Sequence, residues 1–555
     1  MSATAGLLAN KGNIVTPNDL HPRARIAKAG LALAGGLALV ASGGLAANAG
    51  PTHENSTNNT TQKLRTAVSV ENVVGHLDAL DTIAEANGNT RASGTKGYSE
   101  SVDYIVGKLK AAGYSPTIQT FQFPFYAQLS DPVLTQTSPE ARTYGASDFA
   151  TMTYSGSGGG SGTITTVDTT GAASAANTSG CETSDFAAFA PGSIALVQRG
   201  TCPFSQKAAN AEAAGATAVI IFNTGVGANT GPIAGTLGAP DVVSIPVLGA
   251  SFEAGNSLIG DAVAGQVTAD TISEFRETSN VLAETASGNP DNVVMVGAHL
   301  DSVVAGPGIN DNGSGSAAIL AVAESMQKVK TTNQVRFAWW GAEELGLLGA
   351  EHYVADLVEN GGLDKVGLYL NFDMIGSTNF GRFVYDGDNS AFAVGPNAAE
   401  GPAGSGQIEQ DFHDYFASAG LASGETAFSG RSDYGPFIAE GVPAGGLFTG
   451  AEGIKTDEQA ALFGGTAGAP YDACYHIACD DGTNLSIDAL DQMSDAVAHL
   501  TLTYAMNTVG VNGAGTAKGN FKQKDSFEGN PLGGGTESGG GLHPEHDHDS
   551  ELADR

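Results

Sequence analysis

Imidazole and carboxylate side chains follow an apolar run at a point where a strand is expected to end. The β-branched run at residues 293–296 precedes His299 and Asp301, and Asp311 follows a Gly/Pro loop at the head of a helix-like segment. A short apolar run bounded by glycine is typical of a buried strand. In open α/β sheets, ligands bind at the carboxyl ends of strands. His-x-Asp alone is weak evidence, so the interpretation depends on other parts of the chain.

Two further apolar runs end in acidic residues. Residues 335–340 read as a buried strand, and Glu343 and Glu344 follow it before a glycine-rich turn and a helix. Adjacent carboxylates repel one another unless a positive charge lies beside them. The pair therefore predicts one metal ligand and one general base. The third candidate strand lies in "VGLYLNFDMIG", and its apolar run is followed by Asp373.

A second imidazole, His476, lies in the segment "YDACYHIACDD". Together with the residues above it completes a set of two imidazoles and three carboxylates. Nitrogen and oxygen donors of this kind suit two zinc ions that share one bridging carboxylate. The predicted ligands are His299, Asp311, Glu344, Asp373 and His476.

These motifs resemble the co-catalytic zinc aminopeptidase family that includes aminopeptidase Y and secreted bacterial leucyl aminopeptidases. The matching pieces are "GAHLDS", "GINDNGSG", "WWGAEELGLLGAEHYV", "NFDMIG", "GRSDYGPF" and "CYHIACD". They cover most of residues 275–505 in the family's order. The resemblance implies the zinc exopeptidase fold. The alternation of apolar strands and helices likewise predicts an α/β fold, a mixed and largely parallel sheet with helices on both faces.

The resemblance also implies a role for each predicted ligand. His299 and Asp373 would hold one Zn²⁺, Glu344 and His476 would hold the other, and Asp311 would bridge the two. Two Zn²⁺ per chain are therefore expected.

Four further residues are assigned by the same resemblance. Glu343 would be the general base, and Asp301 would orient the imidazole of the first ligand. Tyr475 would lie on the oxyanion side, and Arg431 would contact substrate from the "GRSDY" loop.

The resemblance implies an aminopeptidase acting on peptide or protein substrates with a free N-terminus, with a preference for apolar N-terminal residues. Three alternatives are considered. A related carboxypeptidase needs a cluster of arginines, and only Arg431 and Arg382 are near the motifs. A related glutaminyl cyclase uses one zinc ion, whereas all five ligands are retained here. A non-catalytic receptor ectodomain of the same fold would have lost ligands or the base.

The chain is strongly acidic, with 25 Lys+Arg against 59 Asp+Glu and a formal net charge of −34 over 555 residues. This balance argues against nucleic acid and anionic membranes as partners. We expect a soluble monomer.

The N-terminal segment has the pattern of a secretory signal. A basic stretch ending at Lys28 precedes an apolar, Gly/Ala-rich run that closes with small residues at Ala49. We expect residues 1–49 to be a leader with a signal peptide cleaved after Ala49, giving a secreted, extracellular protein without stable membrane association. An uncleaved anchor is the alternative, disfavoured because the run is rich in Gly and Ala rather than in Leu.

Composition divides the rest of the chain. Residues 50–64 are predicted to be a linker or short propeptide, and 65–140 with 271–508 a discontinuous zinc peptidase domain. Residues 141–270 resemble a protease-associated domain, on the strand, loop, helix and strand of "GSIALVQRGTCPFSQKAANAEAAGATAVIIFN". Residues 509–555 are predicted to be a disordered, Gly-rich acidic tail.

The cysteines fit two local disulfides, Cys181–Cys202 and Cys474–Cys479, as expected of an exported protein. The second would brace the loop that presents His476. A thiolate zinc site at Cys-x4-Cys is the alternative, which the oxidising context disfavours.

Several other residues are expected to be structural. Arg199 and Lys207 are predicted surface charges, and Arg91 and Tyr98 are predicted structural residues between two amphipathic helices. The run "SNVLAETA", where the peptidase domain resumes, is predicted to be an edge strand.

Overall fold

The structure, a computed structural model, describes residues 57–514. The predicted leader, the start of the linker and most of the predicted tail lie outside the described residues. Between 57 and 514 no helix combines the length and the hydropathy needed to cross a membrane.

Within residues 57–514, sixteen strands form two sheets, each of eight strands. In chain order they are β1 (Thr117–Gln128), β2 (Val133–Ser138), β3 (Arg142–Thr143), β4 (Phe149–Thr151), β5 (Gly158–Thr166), β6 (Ile194–Gln198), β7 (Ala218–Phe222), β8 (Val247–Ala250), β9 (Ala264–Ala269), β10 (Thr271–Glu284), β11 (Asn289–His299), β12 (Asn333–Trp340), β13 (Val366–Phe372), β14 (Phe383–Tyr385), β15 (Gly424–Thr426) and β16 (Ala444–Phe448).

Twelve α-helices accompany these strands within the described residues. They are α1 (Thr61–Val68), α2 (Val70–Ala86), α3 (Lys96–Ala112), α4 (Phe204–Ala213), α5 (Phe252–Ser257), α6 (Gly315–Met326), α7 (Leu348–Glu359), α8 (Ser405–Ser418), α9 (Tyr434–Ala439), α10 (Asp457–Phe463), α11 (Ile487–Met506) and α12 (Val509–Asn512). Helix α1 begins inside the segment predicted to be a linker. Short helical turns lie at Thr183–Phe186, Ile309–Ser314 and Leu363–Lys365.

The first sheet has the order β1-β10-β12-β11-β13-β16-β14-β15. Its central strands β12, β11, β13 and β16 are parallel, and antiparallel pairs lie towards both ends. The mixed, largely parallel sheet predicted from the sequence is therefore confirmed. Because β11, β12 and β13 run in the same direction, their carboxyl ends lie at one edge of the sheet.

Helices cover both faces of this sheet, as predicted. One buried cluster joins the sheet to α2, α3, α6, α8 and α11. The other joins it to α7 and α9 and includes Trp340 and Tyr369. Burial on both faces explains why β11 and β13 read as continuous apolar runs rather than as alternating ones.

Strand β10 is not an edge strand, so that prediction is wrong. Strand β1 pairs with β10 in antiparallel register from Thr117–Leu282 to Gln128–Thr271 and occupies the edge itself. The sequence could not give this pairing, because the two strands are separated by the whole second sheet.

The second sheet has the order β3-β2-β9-β5-β6-β7-β8-β4 and is inserted between β1 and β10. The predicted strand, helix and strand of the insertion are β6, α4 and β7. The sheet begins with β2, upstream of the predicted boundary at residue 141. A disulfide joins Cys181 and Cys202, as predicted.

Lys207 on α4 is buried, so its prediction as a surface charge is wrong. Its Nζ donates a hydrogen bond to the Ser179 carbonyl oxygen at 2.6 Å and lies 3.6 Å from Cys181 Sγ. Burial lowers the pKa of Lys207 to about 8, and the nearby Asp185 and Glu182 oppose that shift. A buried lysine is tolerated here because a carbonyl group satisfies the ammonium.

A second buried charge, Glu409 on α8, supports the loop that follows β14. Its Oε2 accepts hydrogen bonds from the backbone N–H groups of Gly387 at 2.8 Å and Asp388 at 3.2 Å. Burial, followed by the charges of Asp388 and Asp386, raises the pKa of Glu409 to about 7. His413 Nε2 lies 3.8 Å from Glu409 Oε1, and Nε2 also lies 3.9 Å from Glu425 Oε1 on β15.

We predict that Glu409→Gln stabilises the protein at pH 8 and has little effect at pH 5. A glutamate whose folded-state pKa lies above its ordinary 4.5 favours folding at low pH and loses that contribution as pH rises through about 7. The glutamine oxygen can accept the same two N–H groups without ionising. The expected gain at pH 8 is about 1–3 kcal/mol, read from thermal unfolding midpoints at both pH values. The exposed Glu400→Gln is the control, and a Glu409→Gln gain equal at pH 5 and pH 8 would contradict the prediction.

Candidate active site

Three neighbouring parallel strands deliver polar side chains to the same edge of the first sheet. Strand β11 ends at His299, which pairs in register with Trp340, the last residue of β12. Glu343 and Glu344 follow β12 within four residues, and Asp373 directly follows β13. The sequence expectation of a ligand site at strand ends therefore agrees with the placement of these residues.

Asp311 lies at the centre of this group. Its Oδ1 is 3.2 Å from His299 Nε2, and its Oδ2 is 3.2 Å from His476 Nε2. His299 Nε2 is also 3.3 Å from Asp373 Oδ1, and His476 Nε2 is 3.0 Å from Glu344 Oε2. All five sequence-predicted ligands are thus brought together in two triads that share Asp311.

The donor geometry of both triads fits zinc. Bonds of about 2.0–2.1 Å in a tetrahedron place neighbouring ligand atoms about 3.3 Å apart, close to the four separations given above. Asp373 Oδ1 and Glu344 Oε1 are buried and accept no hydrogen bond from the described residues. Buried oxygens without donors, facing imidazole nitrogens, are suitable ligands for a cation.

The site is dominated by negative charge. Burial opposes the charged form of His476, but Glu344 and Asp311 outweigh it and raise the pKa of His476 to about 11. The pKa of His299 is likewise raised, against burial, by the surrounding carboxylates with Asp373 and Glu343 foremost. Burial raises the pKa of Glu343 and Glu344. A divalent cation at this point would offset the repulsion among the carboxylates, and its binding would displace protons from the imidazole ligands.

Asp301 connects the first predicted ligand to the predicted base. His299 Nδ1 is 3.1 Å from the Asp301 backbone oxygen and 3.7 Å from its carboxylate Oδ1. The same Oδ1 accepts a hydrogen bond from the backbone N–H of Glu343 at 3.2 Å. The backbone carbonyl is thus the nearer partner of the imidazole, while the carboxylate holds the turn that carries Glu343.

Sequence reasoning did not single out Ser432 and Asp433, which also contribute to the site. Ser432 Oγ donates to Asp373 Oδ2 at 2.6 Å. Asp433 is fully buried, and neither of its carboxylate oxygens has a hydrogen-bond partner among the described residues. Burial raises its pKa well above the ordinary value. The signal was available, since both residues belong to the "GRSDYGPF" motif.

A second unpredicted group holds the backbone of Asp311. Asp480 Oδ2 accepts the Asp311 N–H at 3.0 Å, and its Oδ1 accepts the Asn310 N–H at 2.9 Å. Asn310 Nδ2 in turn donates to Asp472 Oδ2 at 2.6 Å. Asp472 and Asp480 flank the Cys474–Cys479 disulfide, which forms as predicted. Only their position beside the cysteines could have indicated this role.

Three non-glycine residues around the site have positive φ angles. They are Ala342 (φ 57°) before Glu343, Met374 (φ 45°) after Asp373, and His476 itself (φ 58°). Such conformations cost about 1–3 kcal/mol each and persist where the surrounding structure fixes them. For His476, the Cys474–Cys479 disulfide restrains the loop that carries this conformation.

A cavity opens onto these residues. Tyr475 and Arg431, both predicted from the sequence, line it together with Glu343. The Tyr475 ring stacks on His476 with centroids 3.8 Å apart. The three side-chain nitrogens of Arg431 are buried and donate no hydrogen bond within the described residues, although Nη1 lies 3.6 Å from Glu452 Oε1. The guanidinium is therefore available to an oxygen-bearing ligand.

Comparison with known sequences indicates a peptidase, the class of protein that the sequence motifs predict. The model of peptidase family M28 matches residues 280–501, and that of the PA domain matches residues 166–258. An aminopeptidase of Pseudomonas aeruginosa strain UCBPP-PA14 is 46% identical over 467 residues, which are 83% of this chain and 85% of the relative. A leucine aminopeptidase 2 of Trichophyton tonsurans is 40% identical over 456 residues, 81% of this chain and 87% of the relative.

Solved structures agree with these matches. An aminopeptidase from Aneurinibacillus sp. strain AM-1 aligns with a TM-score of 0.56 and 25% identity, over 83% of this chain and 99% of that one. A zinc aminopeptidase from Bacillus subtilis aligns with a TM-score of 0.50 and 25% identity, over 79% and 94% of the two chains. The chain belongs to peptidase family M28. It is a hydrolase acting on peptide bonds and carries an inserted PA domain, as the sequence motifs predicted.

The geometry predicts how zinc content responds to ligand loss. The intact chain should bind two Zn²⁺, and His476→Ala should retain one, because the triad of His299, Asp311 and Asp373 is untouched. Asp311→Ala should weaken both ions, since it removes the shared carboxylate. Metal content after dialysis against buffered zinc measures this, with His352→Ala, outside both triads, as the control. Equal losses in His476→Ala and Asp311→Ala would contradict the shared role of Asp311.

Proposed function

We propose that this protein is a secreted dinuclear zinc aminopeptidase that hydrolyses the N-terminal peptide bond of peptides with apolar N-terminal residues. The observation that carries the proposal is the pair of triads sharing Asp311, with Glu343 beside them in one cavity. The names of the relatives, aminopeptidase and leucine aminopeptidase 2, support the same reaction.

The proposed metal ligands follow the two triads. His299 and Asp373 would hold one ion, and Glu344 and His476 would hold the other. Asp311 would contribute to both, because its two oxygens each lie 3.2 Å from one of the two imidazoles. When bound, zinc supplies Lewis acidity that polarises the scissile carbonyl and lowers the pKa of the attacking water.

Glu343 is the proposed general base. It is 3% exposed and lines the cavity, and its Oε2 lies 3.8 Å from His299 Nε2. Its carboxylate accepts a proton from the attacking water as the water oxygen bonds to the carbonyl carbon. The same carboxylate then donates that proton to the leaving nitrogen as the C–N bond breaks. The hydrogen bond from its backbone N–H to Asp301 fixes the turn during both transfers.

Tyr475 and Arg431 are proposed to bind substrate oxygens. Burial, together with the charges of Asp311 and Glu344, raises the pKa of Tyr475 well above its ordinary value, so its hydroxyl remains a donor. A donor placed where negative charge develops stabilises the tetrahedral state. Arg431 adds a guanidinium without other hydrogen bonds among the described residues.

The lining of the cavity favours a free amine next to an apolar side chain. Asp311, Glu343 and Asp373 line it, and Arg431 is the only arginine among the lining residues. An α-ammonium group suits such a carboxylate-rich wall, whereas a C-terminal carboxylate would need more than one cation. Met374, Tyr385, Ala427, Tyr434 and Phe448 supply apolar surface to the same lining, beside the hydroxyl groups of Thr426, Ser429 and Ser432, and suit an apolar N-terminal side chain.

Secretion is supported by the two disulfides and by the signal-like segment that precedes Ala49. Disulfides form and persist in oxidising compartments. The substrates are accordingly proposed to be extracellular peptides and proteins.

The first test is hydrolysis of Leu-p-nitroanilide beside its N-acetylated form by the chain starting at Gly50. We expect cleavage of the free-amine substrate alone, loss of cleavage on chelation, and recovery with zinc. Glu-p-nitroanilide should be cleaved at least about tenfold more slowly, because its charged side chain would be desolvated in the apolar wall. Equal cleavage of the free and acetylated substrates would overturn the aminopeptidase assignment.

A second test separates the base from the ligands. Glu343→Gln should lower kcat by about 10²–10⁴-fold, the contribution of a positioned base, while both zinc ions remain bound. Glu344→Gln is the matched neighbour and should lower zinc content. Loss of zinc from Glu343→Gln would instead make Glu343 a ligand and contradict its role as base.

A further inference from the structure

The segment at residues 89–93, between α2 and α3, has no role in the reaction as proposed. It nevertheless contacts three of the loops that carry the candidate site. Thr90 Oγ1 donates to the Val303 carbonyl at 3.1 Å, and Asn89 Nδ2 lies 3.5 Å from the Ala478 carbonyl in the disulfide loop. The sequence predicts a structural role for Arg91, and the contacts of this segment show which parts of the site it supports.

Arg91 is the centre of this segment. Its side chain is fully buried, and its guanidinium donates to the backbone carbonyls of Leu300, Pro307 and Gly308. The bond from Nε to Pro307 is 2.8 Å long, and the Arg91 backbone N–H donates to Ser302 Oγ at 2.9 Å. All these partners lie on the loop that connects His299 to Asp311.

Ser93 contacts the neighbouring turn. Its Oγ accepts the backbone N–H of Ala342 at 2.7 Å, and it also lies 2.9 Å from Thr278 Oγ1 on β10. Ala342 has a positive φ and immediately precedes Glu343. A hydrogen bond to its N–H therefore restrains the strained residue that aims the base.

Close backbone approaches hold the segment in place. A Cβ added at Gly97 on α3 would come within 2.0 Å of the Thr90 carbonyl oxygen. A Cβ at Gly308 (φ 63°) would come within 2.3 Å of the Asp311 carbonyl oxygen and 3.2 Å of Arg91 Nη2. Side chains are thus excluded on both sides of the arginine, and the contacts leave little room for alternative arrangements.

We propose that residues 89–93 form the positioning element of the site, in which Arg91 holds the His299–Asp311 loop at metal-binding geometry and Ser93 holds the turn that presents Glu343. This inference rests on the proposed function, because it takes His299 and Asp311 to be metal ligands and Glu343 to be the general base.

The geometry of the arginine side chain explains why this residue type is needed. A planar guanidinium carries five N–H donors in a fixed fork and can tie three carbonyls at once. A lysine ammonium keeps the charge but cannot span the same acceptors. Burial lowers the pKa of Arg91 to about 10, against the charges of Asp301 and Asp480, so the group stays protonated at neutral pH. Arg91→Lys therefore separates the geometric contribution from the charge.

The first experiment compares Arg91→Lys with Arg382→Lys in the zinc-loaded full chain. Arg382 is a matched control, because it is also buried and donates to a carbonyl, that of Ala422, outside the residues lining the cavity. Chelator competition measures zinc affinity, and the Co²⁺-substituted protein reports ligand geometry by its visible spectrum. We expect Arg91→Lys to weaken zinc binding by about 10–100-fold, as is typical for partners that orient metal ligands, and to shift the cobalt bands. Arg382→Lys should leave both readouts unchanged.

The second experiment uses Ser93→Ala, with Ser101→Ala as its control. Ser101 is buried on α3, and its Oγ donates within the helix, to the Gly97 carbonyl. Ser93→Ala should lower kcat by about tenfold, because a misaimed general base loses part of its contribution. KM and zinc affinity should change less than twofold, and Ser101→Ala should change none of these quantities.

Wild-type zinc affinity, cobalt spectrum and kcat in folded Arg91→Lys and Ser93→Ala would overturn the inference while leaving the proposed function intact. Thermal unfolding and circular dichroism establish that the variants fold. If Arg91→Lys does not fold, the split between kcat and KM in Ser93→Ala decides alone. A wild-type chain without zinc-dependent hydrolysis would instead overturn the proposed function itself.

Discussion

Electrostatic repulsion among buried carboxylates at one edge of the first sheet is the constraint on which the rest of the site depends. Asp311, Glu343, Glu344, Asp373 and Asp433 are all buried there or line the same cavity. Two imidazoles cannot neutralise them, and the raised pKa values of His299 and His476 express that imbalance. Divalent cations would resolve this imbalance, since each would supply two positive charges where the carboxylate oxygens converge.

The parallel core of the sheet produces this concentration of charge. Strands β11, β12 and β13 end side by side, so the residues that follow them meet although they are far apart in sequence. His476 reaches the same place from a loop closed by the Cys474–Cys479 disulfide. Positive φ angles at Ala342, Met374 and His476 show that the local backbone is held rather than relaxed. The surrounding structure must compensate that strain.

The same requirement for restraint explains features outside the ligand set. Asp480 holds the Asp311 backbone, Ser432 holds the Asp373 carboxylate, and Asp301 holds the turn of Glu343. The segment at residues 89–93, which connects α2 to α3, donates to the His299–Asp311 loop and accepts from the turn of Glu343. The PA domain, by contrast, is carried on the paired strands β1 and β10 and builds a separate eight-stranded sheet with its own cores. Its insertion changes the edge of the peptidase sheet and leaves the order of its four central parallel strands uninterrupted.

The sequence by itself determined the family, the fold class, the strands that end at the site and the residues available as ligands. Short segments of sequence predict each of these features, through apolar runs such as residues 293–296 and the polar residues that follow them. The tertiary structure decided what depends on separation in space. It placed β1 rather than β10 at the sheet edge and buried Lys207 against a carbonyl group. It also placed the guanidinium of Arg91 where it donates hydrogen bonds to the His299–Asp311 loop. No local pattern carries that information, because the hydrogen-bond partners of Lys207, Arg91 and Ser93 lie between 26 and 249 residues away along the chain.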